Sequence, residues 1–346
     1  MRHRESPEWV GGARGIRCGL RYLLCLLVCL AVLRTADGQD IFSYHGDPIP
    51  ADIERMYIKG LNYLVKTQAA NGTWSASKGS EPGVVGVAVL AMLAHGDDPN
   101  FGPYSQAITR GLTHILNSAD GTSGYIGTTM YNHGFATLAL AEAYGSVNDP
   151  RLGPALKKAV ALILAAQSRN SRGAWRYSPT STDADTTVSG AQIVALFAAR
   201  NAGLAVPDRA LKRGLDFVRS CQGGDGGVGY TSAGNASAPC TAIGSLVFAL
   251  AKQRTATESK AAFRHLQQID LRRGSHLYYY LYYAAQAFFH VDMDAWQIWN
   301  KKNARALAET QQADGHWDGS QGPVFSTSMA LLSMAVNYRF LPIYER

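Results

Sequence analysis

Cysteine is scarce in this chain and becomes scarcer on inspection. Of five cysteines, Cys18, Cys25 and Cys29 sit near the amino terminus, leaving only Cys221 and Cys240. Two thiols exclude a disulfide-built scaffold; one bond between them, or two buried structural cysteines, is what they allow. Charge is also thin, at 17% of residues. Six arginines of the first 38 residues supply much of the net basic balance, so the rest carries no nucleic-acid signature. Strand-like alternation of useful length is missing, which excludes a β architecture. The apolar run Tyr22 to Leu33 is too short for a comfortable membrane span. It follows Arg2, Arg4, Arg14, Arg17 and Arg21 and precedes the small residues Ala36-Asp-Gly38. That is the pattern of a secretory signal peptide over residues 1–38, which predicts an exported protein, periplasmic or secreted, with one domain over 39–346. Left uncleaved, the segment would anchor the protein at a membrane surface.

What fills 39–346 is a repeated pair of helices. Lys157 to Gln167 is apolar on one face, Ser168 to Gly173 turns the chain before Trp175, and Ser189 to Arg200 is apolar on most faces, stopping at Asn201-Ala-Gly203. The first helix of the pair belongs at a surface and the second inside. The same order recurs with Ala51 to Ala69 and Gly83 to Leu93, with Tyr104 to Asn117 and Gly134 to Tyr144, and with Ala210 to Gln222 and Thr241 to Lys252. It recurs again with Glu258 to Gln268 and Leu277 to Phe289, and with Ala295 to Gln312 and Thr327 to Val336. Gln68, Asn117, Gln167, Gln222, Gln267 and Gln312 mark equivalent points, 45 to 55 residues apart. Such a period means stacked helix pairs. An open solenoid needs polar capping faces at both ends, and the first and last pairs are as apolar inside as the middle ones. The predicted fold is therefore all-α and closed: an (α/α)6 toroid of six outer and six inner helices.

All inner helices begin at one end of the ring, so their amino-terminal residues converge on one mouth, rich in helix-dipole positive ends. Its lining should include Glu81, Tyr131, His133, Asp183, Asp185, Cys240, Tyr278, Tyr279, Tyr280 and Ser326 to Ser328. Asp185 and Asp183 are the candidate acids, although an Asp before Thr-Thr-Val is most often a helix N-cap. His133 could serve as a general base if an aspartate oriented it. The tyrosines, with Cys240 and Ser326, are the candidate substrate-binding wall, able to face a cation or stack on sugar rings.

Lys59-Gly-Leu-Asn-Tyr-Leu-Val-Lys-Thr-Gln68-Ala-Ala-Asn-Gly72-Thr-Trp74 resembles the QW motif of squalene and hopene cyclases and of protein-prenyltransferase β chains. Lys157 to Trp175, Lys212 to Tyr230 and Arg305 to Trp317 repeat it. The chain is also similar to exported single-toroid proteins with prenyltransferase and squalene-oxidase repeats. The resemblance implies that each Gln and Trp ties the end of an outer helix to the start of the next inner one. Asp183-Ala-Asp185-Thr186 resembles the cyclases' DxDD element, whose middle acid protonates an alkene, but departs from it at Thr186. Cys240 stands where prenyltransferases hold zinc, yet its partner positions are Ala238 and Phe325-Ser-Thr-Ser328. One thiolate does not hold zinc, so no metal and no cofactor is expected.

Three functions follow. The first is an isoprenoid-handling toroid that takes a small apolar molecule into a central cavity, either as a carrier or as a cyclase-like enzyme using Asp185 as acid, the latter needing a second protein domain to close the cavity or a much smaller substrate. The second is a secreted glycan lyase or hydrolase acting through Asp183, Asp185, Glu81 and His133. The third is a noncatalytic binding or scaffold module. A deep apolar tunnel would favour the first, and an open groove with paired acids the second.

Overall fold

The computed structural model describes residues 48–76, 78–271 and 276–345. The signal peptide expected over 1–38 and the turn Arg272-Arg-Gly274 lie outside the described residues. Residues 49–346 make one compact body. The outer helices are α1 (Ala51–Thr67), α3 (Ser105–Asn117), α5 (Leu152–Arg169), α7 (Asp208–Ser220), α9 (Thr257–Gln267) and α11 (Met293–Thr310). Alternating with them are the inner helices α2 (Pro82–Leu93), α4 (Met130–Ala143), α6 (Thr186–Asn201), α8 (Ala238–Leu250), α10 (Leu277–Val291) and α12 (Pro323–Ala335). A 3-10 turn, Pro342–Tyr344, follows. Among the described residues no helix is long and apolar enough to cross a membrane.

The expected (α/α)6 toroid is the fold observed. Each inner helix packs on the next, and α12 packs back on α2, which closes the ring. Closure explains the inner sequences: every residue of α2, from Pro82 to Leu93, is buried, because neighbours cover it on all sides. Proline opens α2, α8 and α12 in the first turn, where its missing N–H costs nothing. Gly83 and Gly86 let α2 approach α4 closely; a Cβ at Gly83 would sit 2.8 Å from Asn132 Cα, and one at Gly86 2.9 Å from the Phe135 carbonyl oxygen.

The outer wall is joined by a repeated side-chain bond. Gln68 Nε2 donates to Gly72 O and to Ala107 O of α3. Gln167 bonds Gly173 O and Ala210 O of α7, and Gln222 bonds Gly226 O and Glu258 O of α9. The last bond closes the circle. Gln311, not the expected Gln312, donates to Gly315 O and to Met56 O of α1. The register moves because α11 ends at Thr310 and its C-cap Gln311 takes the same extended conformation as Gln68 after α1. The Trp indoles bond back to their own outer helix: Trp74 to Leu64 O, Trp175 to Ile163 O and Trp317 to Leu307 O. Glutamine thus ties outer helix to outer helix, where the resemblance implied a tie to the inner helix.

Candidate functional site

Three successive inner helices begin with a side-chain cap at the same height. Thr129 accepts from Asn132 N at the start of α4, Asp185 from Val188 N at α6, and Ser237 from Cys240 N at α8. Asp185 is thus a carboxylate in a position its neighbours fill with hydroxyls. The cap is its structural role, as Asp before Thr-Thr-Val suggests. It has surroundings that Thr129 and Ser237 do not share.

Asp185 is 0% exposed. Its Oδ1 accepts from Val188 N at 2.8 Å and from Thr187 Oγ1 at 2.7 Å. Tyr131 OH donates to Thr187 Oγ1, so a phenol, a hydroxyl and the carboxyl form one chain. Tyr279 of α10, two inner helices away across the ring, donates to Thr187 O at 3.2 Å. Oδ2 makes no hydrogen bond and lies 3.8 Å from Arg176 Nε. When Asp185 is protonated, the proton belongs on Oδ2, since both donors already point at Oδ1. Burial raises its pKa, while the Val188 and Thr187 bonds and Arg176 pull the other way.

Arg176 joins the two candidate acids. It pairs with Asp183, whose side chain is 61% exposed, as well as approaching Asp185. Its guanidinium lies 5.6 Å from the Tyr177 ring centroid and 5.9 Å from that of Tyr230. Those phenols bond each other at 2.6 Å, and Tyr177 is 46% exposed. The Tyr177 ring also leans on Tyr131. The rim therefore offers an aromatic face flanked by an ion pair.

Arg176, Tyr177, Tyr230 and Thr187 were not among the residues the sequence singled out. The signal was present in the repeat: Tyr177 stands four residues after the turn glycine Gly173, and Tyr230 four after Gly226. Matching repeats at those glycines puts the two phenols at one level.

Several expected lining residues face elsewhere. His133 is completely buried and turned to the outer wall, with Nε2 on Ala159 O at 3.0 Å and Nδ1 accepting from Ile126 N at 3.1 Å. Burial lowers its pKa to about 4. With both nitrogens on main-chain partners, it has none left for proton transfer beside Asp185. Of the three consecutive tyrosines only Tyr279 reaches the site. Tyr278 interacts with Thr310 and Tyr280 with Trp299, both on α11. Successive residues of a helix point about 100° apart, so the tyrosines flanking Tyr279 turn outward. Cys240 is buried near Asp185; burial pushes its thiol up to about 11, and Cys221 is likewise a buried free thiol. Ser326 packs tightly against Gly319, Thr327 Oγ1 accepts from Trp317 N, and Ser328 Oγ donates within its own helix. Glu81 is the half-buried residue before α2.

Beneath the mouth aromatic side chains meet across the ring. Phe135 of α4 meets Tyr279 and Tyr282 of the opposite helix α10 edge-on, with centroids 6.3 and 6.4 Å apart. Tyr283 meets Tyr279 and Tyr282 edge-on at 5.0 and 4.7 Å. At this level aromatic rings occupy the axis expected to be a cavity. A cavity of about 480 Å³ lies on the outer wall, among Ile269, Phe288, Ile298 and Trp299. Among the described residues no three His, Cys, Asp or Glu side chains form a metal-holding group.

Fold and mouth together define the class: an α/α toroid protein. Among solved structures the chain is similar to an α-1,6-mannanase of Salegentibacter, a variant inactivated by replacing two adjacent aspartates with alanine and bound to α-1,6-mannotetrose. That match has a TM-score of 0.64 and 10% identity, and covers 84% of this chain and 100% of the other. It is similar to an α-mannanase of Bacteroides thetaiotaomicron, with a TM-score of 0.60, 15% identity, and 83% and 96% covered. It is also similar to a type II terpene cyclase from Scytonema holding its substrate geranylgeranyl dihydroxybenzoate, with a TM-score of 0.55, 15% identity, and 84% and 98% covered. No family model and no curated protein matches the chain. At these identities the likeness establishes the fold.

Proposed function

We propose that the mouth binds a glycan lying across the Tyr177–Tyr230 pair, with Asp185 and Asp183 as a candidate hydrolytic pair. The filled axis carries this reading. With Phe135 against Tyr279 and Tyr282, a ligand is held at the rim, where an exposed phenol face and the Arg176–Asp183 ion pair offer stacking and hydrogen bonds together. That combination suits a sugar better than a hydrocarbon chain. The two carboxyls have the unequal surroundings that an acid and its partner base need: Asp185 is buried with a raised pKa, and Asp183 is exposed. Arg176 holds the two together and is the group a substrate would displace. A polymeric substrate fits the export expected from residues 1–38, and two of the similar solved structures are mannanases.

A second reading keeps the isoprenoid. Asp185 lies within an aromatic wall that can face a cation, and the Scytonema cyclase chain is matched over 98% of its length by this single toroid, so a second closing domain is not required by size. This reading needs Phe135 and Tyr279 to part. Titration with α-1,6-mannotetrose and other neutral oligosaccharides, beside geranylgeraniol, decides between the two. We expect saturable oligosaccharide binding that Tyr177→Ala weakens by about tenfold, some 1.4 kcal/mol. Binding of geranylgeraniol with no response to any oligosaccharide would replace the glycan reading.

A further inference from the structure

At the end of the ring opposite the mouth, Leu341–Glu345 runs across the carboxyl ends of the inner helices. Asn201 of α6 donates to Pro342 O at 3.2 Å, and His290 of α10 meets Ile343 O at 3.2 Å. Leu341, Ile343 and Tyr344 are buried beneath the segment. Tyr344 comes to rest beside Tyr282 and Tyr57. Tyr282 belongs to the aromatic cluster that fills the axis. Under the same segment lies Glu142, in the last turn of α4 and 6% exposed, with no side-chain partner and at most a weak approach from the Ile343 main chain. A carboxylate so poorly paired in such a place is costly, whereas a neutral carboxyl is tolerated.

We propose that Leu341–Glu345 is a proton-controlled stopper, seated while Glu142 is neutral and loosened when Glu142 ionises. Lifting the segment gives the carboxylate water and opens a path to Tyr282 and Tyr283 from the side away from Asp185. The titratable groups facing Glu142 are Glu345 and Tyr344 of the segment and Tyr282 of α10, with Tyr57 behind Tyr344 and His290 on the Ile343 carbonyl. Burial raises the Glu142 acid to about 8, the Ile343 main chain opposes this, and the Glu345 charge adds to it. The sign follows from proton counting. The seated form holds a proton that the lifted form releases between the ordinary value of 4.5 and about 8, so lifting becomes easier as pH rises through that window and changes little above it.

Hydrogen exchange of peptides spanning 341–345, corrected for the intrinsic pH dependence of exchange, measures the lifting directly. In the full chain the opening constant should rise by up to about tenfold per pH unit between about pH 5 and 8, while peptides from α4 and α10 stay protected. Glu142→Gln should remove the pH dependence and stay seated. Identical profiles for the two proteins would overturn the proposal. Should the variant fail to fold, carbon-13 titration of the Glu142 carboxyl in the unaltered protein tests the same point. Titration near 8 supports the stopper, and titration near 4.5 overturns it.

Discussion

Asp185 carries two roles that substitution can separate. As a cap, its oxygen satisfies Val188 N; as an acid, it needs a proton on Oδ2. Asparagine caps nearly as well but carries no acid proton. Asp185→Asn should therefore keep the melting temperature close to that of the unaltered protein while abolishing any hydrolysis of bound oligosaccharide. Asp185→Ala should in addition cost about 1 kcal/mol in urea unfolding. Full turnover by the Asn variant would remove Asp185 from the chemistry. His133 makes a pH prediction of the opposite sign to Glu142. Its folded value is lowered from 6.5 to about 4, so the native state binds fewer protons than the unfolded chain between those values. The stability it contributes is whole above pH 6.5 and lost as pH falls toward 4, about 3 kcal/mol at most. The urea midpoint should fall less between pH 7 and pH 4.5 in His133→Ala than in the unaltered protein. At this scale the sequence shows which residue types stand near the inner-helix starts, but not where each points. His133 and Asp185 both looked like mouth residues, and the rotation of α4 about its axis sends His133 to the outer wall.

Among the elements, the joints between outer helices matter as much as the helices. Gln311 donates to two main-chain oxygens, on Gly315 and Met56. Gln311→Ala leaves both without that donor and should destabilise by about 1–3 kcal/mol, seen as a lower urea midpoint. Gln312→Ala should matter far less, which makes the pair a test of the register. Gly72 is stricter. It has φ +84°, and a Cβ there would lie 2.2 Å from the Arg110 carbonyl oxygen, so Gly72→Ala meets both backbone strain and a main-chain clash. We expect it to lower the melting temperature more than Gln311→Ala does. The helix pairs themselves were legible because a half-apolar outer helix and an all-apolar inner helix differ along the sequence. The one-residue shift at Gln311 depended on where α11 stops, and helix ends are set by local competition that periodicity does not resolve.

For the molecule as a whole, closure governs how it unfolds. In an open array of repeats each unit touches only its neighbours and can melt from an end. Here α12 packs on α2, and Gln311 ties the last outer helix to the first, so no free end remains. Circular dichroism and tyrosine fluorescence should report one coincident transition in urea; separate transitions would show that the closing contacts are weak. Closure also brings α4 and α10 face to face, which is why Phe135 and Tyr279, 144 positions apart in sequence, meet on the axis and deny a ligand the centre of the ring.

By itself the sequence determined that this protein is a ring of six helix pairs, because its inner helices are apolar on most faces and neither end pair carries the polar face that an open array would need. It also placed two aspartates at the start of the third inner helix. Tertiary structure alone decided that the axis is filled, that Arg176, Tyr177 and Tyr230 assemble around Asp185, and that Leu341–Glu345 closes the far end over Glu142. The physical reason is the same in each case. Periodicity reports how much of a helix is covered, whereas these features depend on which side chain meets which across the ring, and only the packed rotation of each helix settles that.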